Sequence, residues 1–106
     1  MTIRVVVADD QDLVRAGLVM ILGAYPALEV VGEAADGIQA LDLTRRLRPD
    51  VLLVDIRMPG LDGVEVTRRV AGPDVTDPIA DVVITTFDLD EYLIGALRAG
   101  ARGLLL

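Results

Sequence analysis

Acidic and hydroxyl side chains follow three apolar runs of this sequence. They are Asp9 and Asp10 after Ile3 to Ala8, Asp55 after Val51 to Val54, and Thr85 and Thr86 after Val82 to Ile84. If these runs are parallel strands, their carboxyl ends meet at one edge of a sheet, where ligands bind in such folds. Neighbouring carboxylates raise one another's pKa unless a cation neutralises them, and their hard oxygens suit Mg²⁺. The pattern therefore predicts a divalent metal site that includes Asp9, Asp10 and Asp55.

Each of these residues also has an ordinary structural interpretation. Either member of the acidic pair could cap the helix expected to begin near Gln11 or Asp12, because aspartate is favoured ahead of a helix. Asp55 could belong to the turn that Pro59 and Gly60 predict, and a lone threonine such as Thr85 is usually a strand residue. The metal-site interpretation is favoured because three carboxylates and a hydroxyl are expected at the same edge.

Asp55 could also take part in covalent chemistry. A carboxylate at a strand end can act as a nucleophile and accept a phosphoryl group as aspartyl phosphate. Phosphoryl transfer depends on positioning and on neutralising the charge of the phosphoryl oxygens. Thr85 could donate its hydroxyl to one of those oxygens, and Arg57 could offer its backbone carbonyl to the metal. The expected chemistry is thus metal-assisted phosphorylation of Asp55.

The elements that must position these residues alternate along the chain. Apolar runs that are rich in β-branched residues and lack strict alternation are typical of strands buried on both faces, and they span 3–8, 28–31, 51–54 and 82–84. Segments of helical period lie between and after them, with apolar positions at Val14, Leu18, Ile21 and Leu22, at Ala40, Leu41, Thr44 and Leu47, at Val66 and Val70, and at Leu89, Tyr92, Leu93, Ala96 and Leu97. The resulting order, βαβαβαβα, predicts an α/β fold with a parallel sheet.

The composition limits the function further. A chain of 106 residues suffices for one domain, and its net charge of −7 repels phosphate backbones and anionic membrane surfaces. The absence of Cys, His, Ser, Asn, Lys and Trp excludes disulfides, Cys/His zinc sites and nucleophile pairs that need Ser or Cys with His. With no apolar run of about 20 residues and no signal-peptide pattern, we expect a cytoplasmic protein with no membrane partner.

The C-terminal residues predict an incomplete fold. After the fourth expected helix, residues 100–103 form a turn and Leu104 to Leu106 begin a fifth buried strand. A βαβ series with helices on both faces needs a further helix to cover that strand. We therefore expect residues 1–106 to be one domain that is truncated at its C-terminus.

Motifs with a characteristic order and spacing occupy 8–11, 14–18, 49–63 and 85–92. Together they resemble the receiver domain of two-component response regulators, specifically the NarL/LuxR-type subfamily, and the likeness covers the whole chain. The resemblance implies a doubly wound, five-stranded sheet of flavodoxin-like order 2-1-3-4-5 whose last helix is missing. It also implies a phosphoacceptor signalling domain.

The same resemblance implies a role for each site residue. Asp55 would be the phosphoacceptor, Asp10 a direct Mg²⁺ ligand, Asp9 a ligand through water, Arg57 the carbonyl ligand and Thr85 the switch hydroxyl. The loop after the acceptor would be shaped by Met58, Pro59, Gly60 and Gly63. A sensor histidine kinase would supply the phosphoryl group, and the domain would assist its own phosphorylation and dephosphorylation without being an enzyme. We expect a homodimer, with DNA bound only by an output domain that this chain lacks.

Two features depart from the family pattern. The family carries a lysine that would fall immediately after Leu106, and it usually has an aromatic residue at the position of Leu104. The missing lysine and the missing fifth helix favour an alternative, a receiver-like module that dimerises or binds a partner without being phosphorylated, whereas the intact acidic triad opposes it. A haloacid-dehalogenase-like phosphatase would need a lysine and a second Asp where Arg57 stands. Flavin binding is disfavoured because the acidic pair occupies the place of a phosphate cradle.

Overall fold

The computed structural model describes residues 2–56, 58–84, 100 and 103–105, and its strands form one parallel sheet. The strands are β1 (Ile3–Ala8), β2 (Leu28–Ala34), β3 (Val51–Asp55), β4 (Ala80–Ile84) and β5 (Gly103–Leu105). Their order across the sheet is β2-β1-β3-β4-β5, and each pair of neighbours is parallel. The predicted five-stranded, flavodoxin-like order is therefore confirmed.

Helices alternate with the strands in the described part of the chain. They are α1 (Asp12–Gly23), α2 (Gly37–Leu47) and α3 (Gly63–Ala71). Aspartates cap the second and third: Asp36 accepts a hydrogen bond from the amide of Gln39 at 2.8 Å, and Asp62 accepts one from the amide of Glu65 at 2.9 Å. The helix predicted around 89–97 lies outside the described residues. Within the described ranges, no helix is both long and apolar enough to cross a membrane.

Apolar side chains cover both faces of the central strands. On one face, residues of β1, β2 and β3 pack with side chains from α2 and α3, and the buried strand members of this cluster are Val6, Ala8, Ala34, Leu52 and Val54. On the other face, partly buried side chains of α1 pack against Val5, Val7 and Leu53. Successive strand residues point to opposite faces, so a strand that is covered on both sides needs no polar alternation. This packing explains the continuous apolar runs that predicted β1 and β3.

The structure corrects several of the predicted elements. β4 begins at Ala80, two residues before the predicted run, and β5 begins at Gly103, which was expected to belong to the turn. β2 extends beyond the apolar run through 32–34, because it is an edge strand and the side chain of Glu33 can remain exposed there.

Ile21, which was expected to face the core, is 60% exposed. It precedes Leu22 by one residue and therefore lies about 100° around α1 from a side chain that packs on the sheet. Leu106, the last residue of the predicted fifth strand, lies outside the described residues.

Candidate functional site

The carboxyl ends of β1 and β3 bring the acidic residues together. The two strands are neighbours in the sheet, and Ala8 of β1 is paired with Val54 of β3. The residues that follow this pair, Asp9 and Asp55, therefore stand side by side, and Asp10 begins the next turn. One carboxylate oxygen from each of the three residues lies within 4.8 Å of the other two. The structure thus shows the proximity that the sequence predicted for these carboxylates.

The three carboxylates differ in their exposure to solvent. Asp9 is 3% exposed, Asp55 is half-buried and Asp10 is exposed. Burial raises the pKa of Asp9 above its usual value of 3.8, and the charge of Asp10 raises it further, while the amide of Gln11 and the guanidinium of Arg15 oppose the rise. A cation bound beside Asp9 would stabilise the ionised carboxylate, so the electrostatics of the cluster favour cation binding.

Asp9 makes the hydrogen bonds that hold the turn after β1. Asp9 Oδ1 accepts a hydrogen bond from the amide of Gln11 at 2.9 Å, and the amide of Asp9 donates to the carbonyl of Ala34 in β2 at 3.0 Å. Gln11 occupies the N-cap position of α1, and its side chain makes no capping hydrogen bond. Neither Asp9 nor Asp10 is therefore the helix cap that the alternative interpretation expected. The side chain of Asp9 stabilises the turn that precedes the helix instead.

The loop after Asp55 is held by close backbone contacts. The amide of Gly63 donates to the carbonyl of Ile56 at 2.6 Å, and a Cβ on Gly63 would lie 2.2 Å from the carbonyl oxygen of Asp55. Gly60 has a φ of +76°, a left-handed conformation that glycine adopts without strain. Met58 is buried and belongs to the core cluster that includes side chains of α2 and α3. The backbone of Gly60 and Gly63 thus shapes the segment that follows the predicted phosphoacceptor, while the expected parts of Met58 and Pro59 stay predictions.

Arg15 is a site residue to which the sequence analysis assigned no separate role. Its Nη1 donates to the backbone carbonyl of Asp9 at 2.7 Å, and its other nitrogens pair with Asp12 and Glu33. Hydrogen bonding to Asp12 raises the pKa of Arg15, which therefore stays charged. One signal was available in the sequence, because Arg15 is the only charged residue after Asp12 in the otherwise apolar stretch of α1.

The donor set of the acidic cluster suits Mg²⁺. This ion takes oxygen ligands at about 2.0–2.1 Å, uses one or two carboxylates and keeps several waters. Opposite ligands of one ion are then about 4.2 Å apart. Carboxylate oxygens within 4.8 Å of one another can reach a shared ion by small side-chain rotations, so Asp9, Asp10 and Asp55 fit it. Arg57 and Thr85, the predicted carbonyl ligand and switch hydroxyl, lie outside the described residues.

The order of the parallel sheet and the acidic residues at its carboxyl edge agree with the family that comparison with known proteins finds. The family described as "Response regulator receiver domain" matches residues 5–106. The chain belongs to the receiver domain family of response regulators.

Individual relatives refine this assignment. The transcriptional regulatory protein LiaR of Bacillus subtilis is 41% identical over 104 residues, which cover 98% of this chain and 48% of LiaR. A solved signal receiver domain, described as that of response regulator NarL from Mycobacterium tuberculosis, is similar with a TM-score of 0.91 and 42% identity, covering 99% of this chain and 83% of that one. These similarities confirm the NarL/LuxR type that the sequence motifs implied.

The matches with full-length relatives are partial. The chain spans about half the length of the curated regulators that it matches, as the 48% coverage of LiaR shows. A protein-glutamate methylesterase/protein-glutamine glutaminase of Myxococcus xanthus is 46% identical over 104 residues, but only 29% of that protein is covered, against 97% of this chain. The likeness to that enzyme is therefore a receiver-domain likeness.

Proposed function

We propose that this receiver domain accepts a phosphoryl group from a sensor histidine kinase on Asp55, with Mg²⁺ held by the acidic cluster, and thereby changes its interaction surface. One observation carries the proposal: the oxygens of Asp9, Asp10 and Asp55 lie within 4.8 Å of one another. Such a group of like charges is unfavourable unless a cation neutralises it. Membership of the receiver family supports the same function.

In the proposed transfer, a carboxylate oxygen of Asp55 attacks the phosphorus of a phosphohistidine on the kinase. A P–O bond forms to Asp55 while the P–N bond breaks, and the imidazole nitrogen leaves with the electron pair of that bond. Bound Mg²⁺ supplies neutralisation of the charge on the phosphoryl oxygens. Asp55 ends β3 and is half-buried, so its carboxylate is held by the sheet and is still accessible to a donor from the carboxyl edge.

The other site residues would bind either the metal ion or the phosphoryl group. Asp10, which is exposed, would be a direct ligand, and Asp9, which is buried, would act through a water molecule. Arg57 would contribute its backbone carbonyl, and the hydroxyl of Thr85 would donate to a phosphoryl oxygen and serve as the switch. The roles of Arg57 and Thr85 depend on the family resemblance alone.

We also propose that this receiver domain is part of a longer transcriptional regulator. Because the chain spans about half of its regulator relatives, transcription would be controlled through a DNA-binding output domain of a longer protein. The net charge of −7 supports the view that the receiver itself does not bind DNA. We assign it no enzymatic activity beyond assisting its own phosphorylation and dephosphorylation. A single domain over 1–106, homodimerisation and a cytoplasmic location stay predictions.

The test is phosphorylation by a small phosphodonor. The 106-residue chain is incubated with acetyl phosphate and MgCl₂, and intact-mass spectrometry measures the label. Hydride reduction followed by peptide mapping identifies an aspartyl phosphate by its conversion to homoserine. We expect one Mg²⁺-dependent label at Asp55, its loss in Asp55→Ala, and its retention in Asp42→Asn, which removes an exposed carboxylate on α2.

Other outcomes of the experiment would contradict the proposal. A label on Thr85 or Thr86, or one that persists in Asp55→Ala, would show that the acceptor is assigned wrongly. No label with or without MgCl₂ would favour the module that binds partners without being phosphorylated. Labelling in the absence of any divalent cation would contradict the proposed role of the acidic cluster in binding Mg²⁺ for the transfer.

A further inference from the structure

Arg15 joins three elements around the acidic cluster. Its side chain is only 16% exposed, and each of its nitrogens faces a different acceptor. Nη1 donates to the backbone carbonyl of Asp9 at 2.7 Å, Nη2 donates to Asp12 Oδ1 at 2.6 Å, and Nε lies 3.4 Å from Glu33 Oε1. One guanidinium thereby connects the end of β1 to the first turn of α1 and to β2.

The hydrogen bond to Asp9 bears directly on Asp10. The accepting carbonyl belongs to the planar peptide unit that links Asp9 to Asp10, so holding its oxygen sets the direction in which the chain enters Asp10. The amide on the other side of Asp9 donates to Ala34 at 3.0 Å, so both peptide units of Asp9 are anchored. Repulsion from the neighbouring carboxylates would otherwise move the exposed side chain of Asp10 away from the cluster.

We infer that Arg15 is a positioning residue of the metal site, which holds the peptide between Asp9 and Asp10 so that the carboxylate of Asp10 stays beside that of Asp55. The inference rests on the proposed function, because it assumes that the cluster binds Mg²⁺. Lysine cannot replace Arg15 in this role. A single ammonium group is a point charge, whereas the planar guanidinium reaches acceptors on separate elements with separate nitrogens.

A purely electrostatic role of Arg15 would have the opposite consequence. Its positive charge near the cluster disfavours another cation, so a neutral residue would raise the affinity for Mg²⁺ and lysine would leave it unchanged. The positioning role predicts that both replacements weaken binding. Loss of a residue that orients metal ligands typically lowers metal affinity about 10–100-fold.

The experiment is an NMR titration of the 106-residue chain with MgCl₂, which follows the backbone amides of Asp10 and Gln11. Arg15→Lys and Arg15→Gln are compared with the unchanged chain. The matched control is Arg46→Gln, which removes an exposed arginine that pairs with Asp42 on α2. Peaks of the folded chain alone report the titration, so partial unfolding of a variant lowers intensity without changing the dissociation constant of the folded form. If one variant fails to fold, the other supplies the test.

We expect the dissociation constant for Mg²⁺ to rise about tenfold or more in both Arg15 variants and to stay unchanged in Arg46→Gln. Unchanged affinity in either Arg15 variant, or tighter binding by Arg15→Gln, would overturn the inference. Failure of the proposed function would look different. The amide peaks of the unchanged chain would then not shift on addition of Mg²⁺, or the same shifts would occur in Asp10→Asn.

Discussion

The backbone of Gly63 lies so close to the carbonyl oxygen of Asp55 that a Cβ on Gly63 would come within 2.2 Å of that oxygen. The amide of Gly63 also donates to the carbonyl of Ile56, the residue after Asp55, at 2.6 Å. The first residue of α3 therefore packs directly against the backbone at the end of β3. The position of the proposed phosphoacceptor depends on this absence of a side chain.

Replacing Gly63 with alanine tests this close contact. The added methyl group meets backbone atoms that cannot rotate away, so we expect Gly63→Ala to lower the free energy of unfolding by about 1–3 kcal/mol. Labelling of Asp55 by acetyl phosphate should slow, because the end of β3 must shift. Urea denaturation and intact-mass spectrometry measure the two effects.

Gly17→Ala is the matched control for this substitution. Gly17 lies within α1, and beyond the backbone of its own helix a Cβ there would meet no atom of the described residues within 4 Å. Alanine should therefore raise the free energy of unfolding by about 0.5–1 kcal/mol. Labelling of Asp55 should be unchanged in Gly17→Ala. Equal stability of Gly63→Ala and the unchanged chain would show that the backbone contact is less close than described.

The second prediction concerns Asp9 and pH. Because burial raises the pKa of Asp9 in the folded chain, ionisation of this carboxyl opposes folding. Its stabilising contribution is present below the unfolded pKa of about 3.9 and is lost as the pH rises through the raised folded pKa. We expect Asp9→Asn without Mg²⁺ to be more stable than the unchanged chain at pH 7, by about 0.5–2 kcal/mol.

The comparison is made by urea denaturation at several pH values in the presence of a chelator. The advantage of Asp9→Asn should shrink as the pH falls, because protonation then removes the charge that makes the buried carboxyl of Asp9 unfavourable. The asparagine oxygen can still accept the hydrogen bond from Gln11, which keeps the turn intact. A difference in stability that is independent of pH would contradict the electrostatic explanation.

The third prediction is that Mg²⁺ stabilises the folded chain. A ligand that binds only the folded state raises the free energy of unfolding, by about 2.7 kcal/mol at 100 times its dissociation constant. Thermal unfolding in increasing MgCl₂ should show the effect, and Asp10→Asn should remove most of it. Asp42→Asn on α2 should respond like the unchanged chain. Equal stabilisation of Asp10→Asn and Asp42→Asn would indicate binding outside the cluster.

The fourth prediction compares two buried threonines. The hydroxyl of Thr44 is buried in α2 and has no hydrogen-bond partner within the described ranges, whereas that of Thr67 donates to the carbonyl of Gly63 at 2.7 Å. An unpaired buried hydroxyl is costly, so Thr44→Val should raise the free energy of unfolding by about 1 kcal/mol. Thr67→Val should lower it by a similar amount. Denaturation curves that change in the same direction for both variants would contradict this assignment.

Much of this fold was predictable because its signals are local. Apolar runs indicated β1 and β3, and the period of Ala40, Leu41 and Thr44 indicated a helix that is buried along those positions. The errors occurred where tertiary surroundings decide exposure. Ile21 is an apolar residue but faces solvent, and Glu33 is a charged residue beyond the apolar run that nevertheless continues β2.

The sequence by itself determined the order of the elements and the presence of acids at the ends of β1 and β3. Both follow from residue types and from their positions along the chain. Tertiary structure decided how those acids meet. Asp9 and Asp55 are neighbours through the pairing of Ala8 with Val54, and only folding buries Asp9 and raises its pKa. The contacts of Arg15 with the carbonyl of Asp9 and with Glu33 likewise require that β1, β2 and α1 pack together. Interactions between residues distant in the chain depend on distances and burial, which residue types alone do not specify.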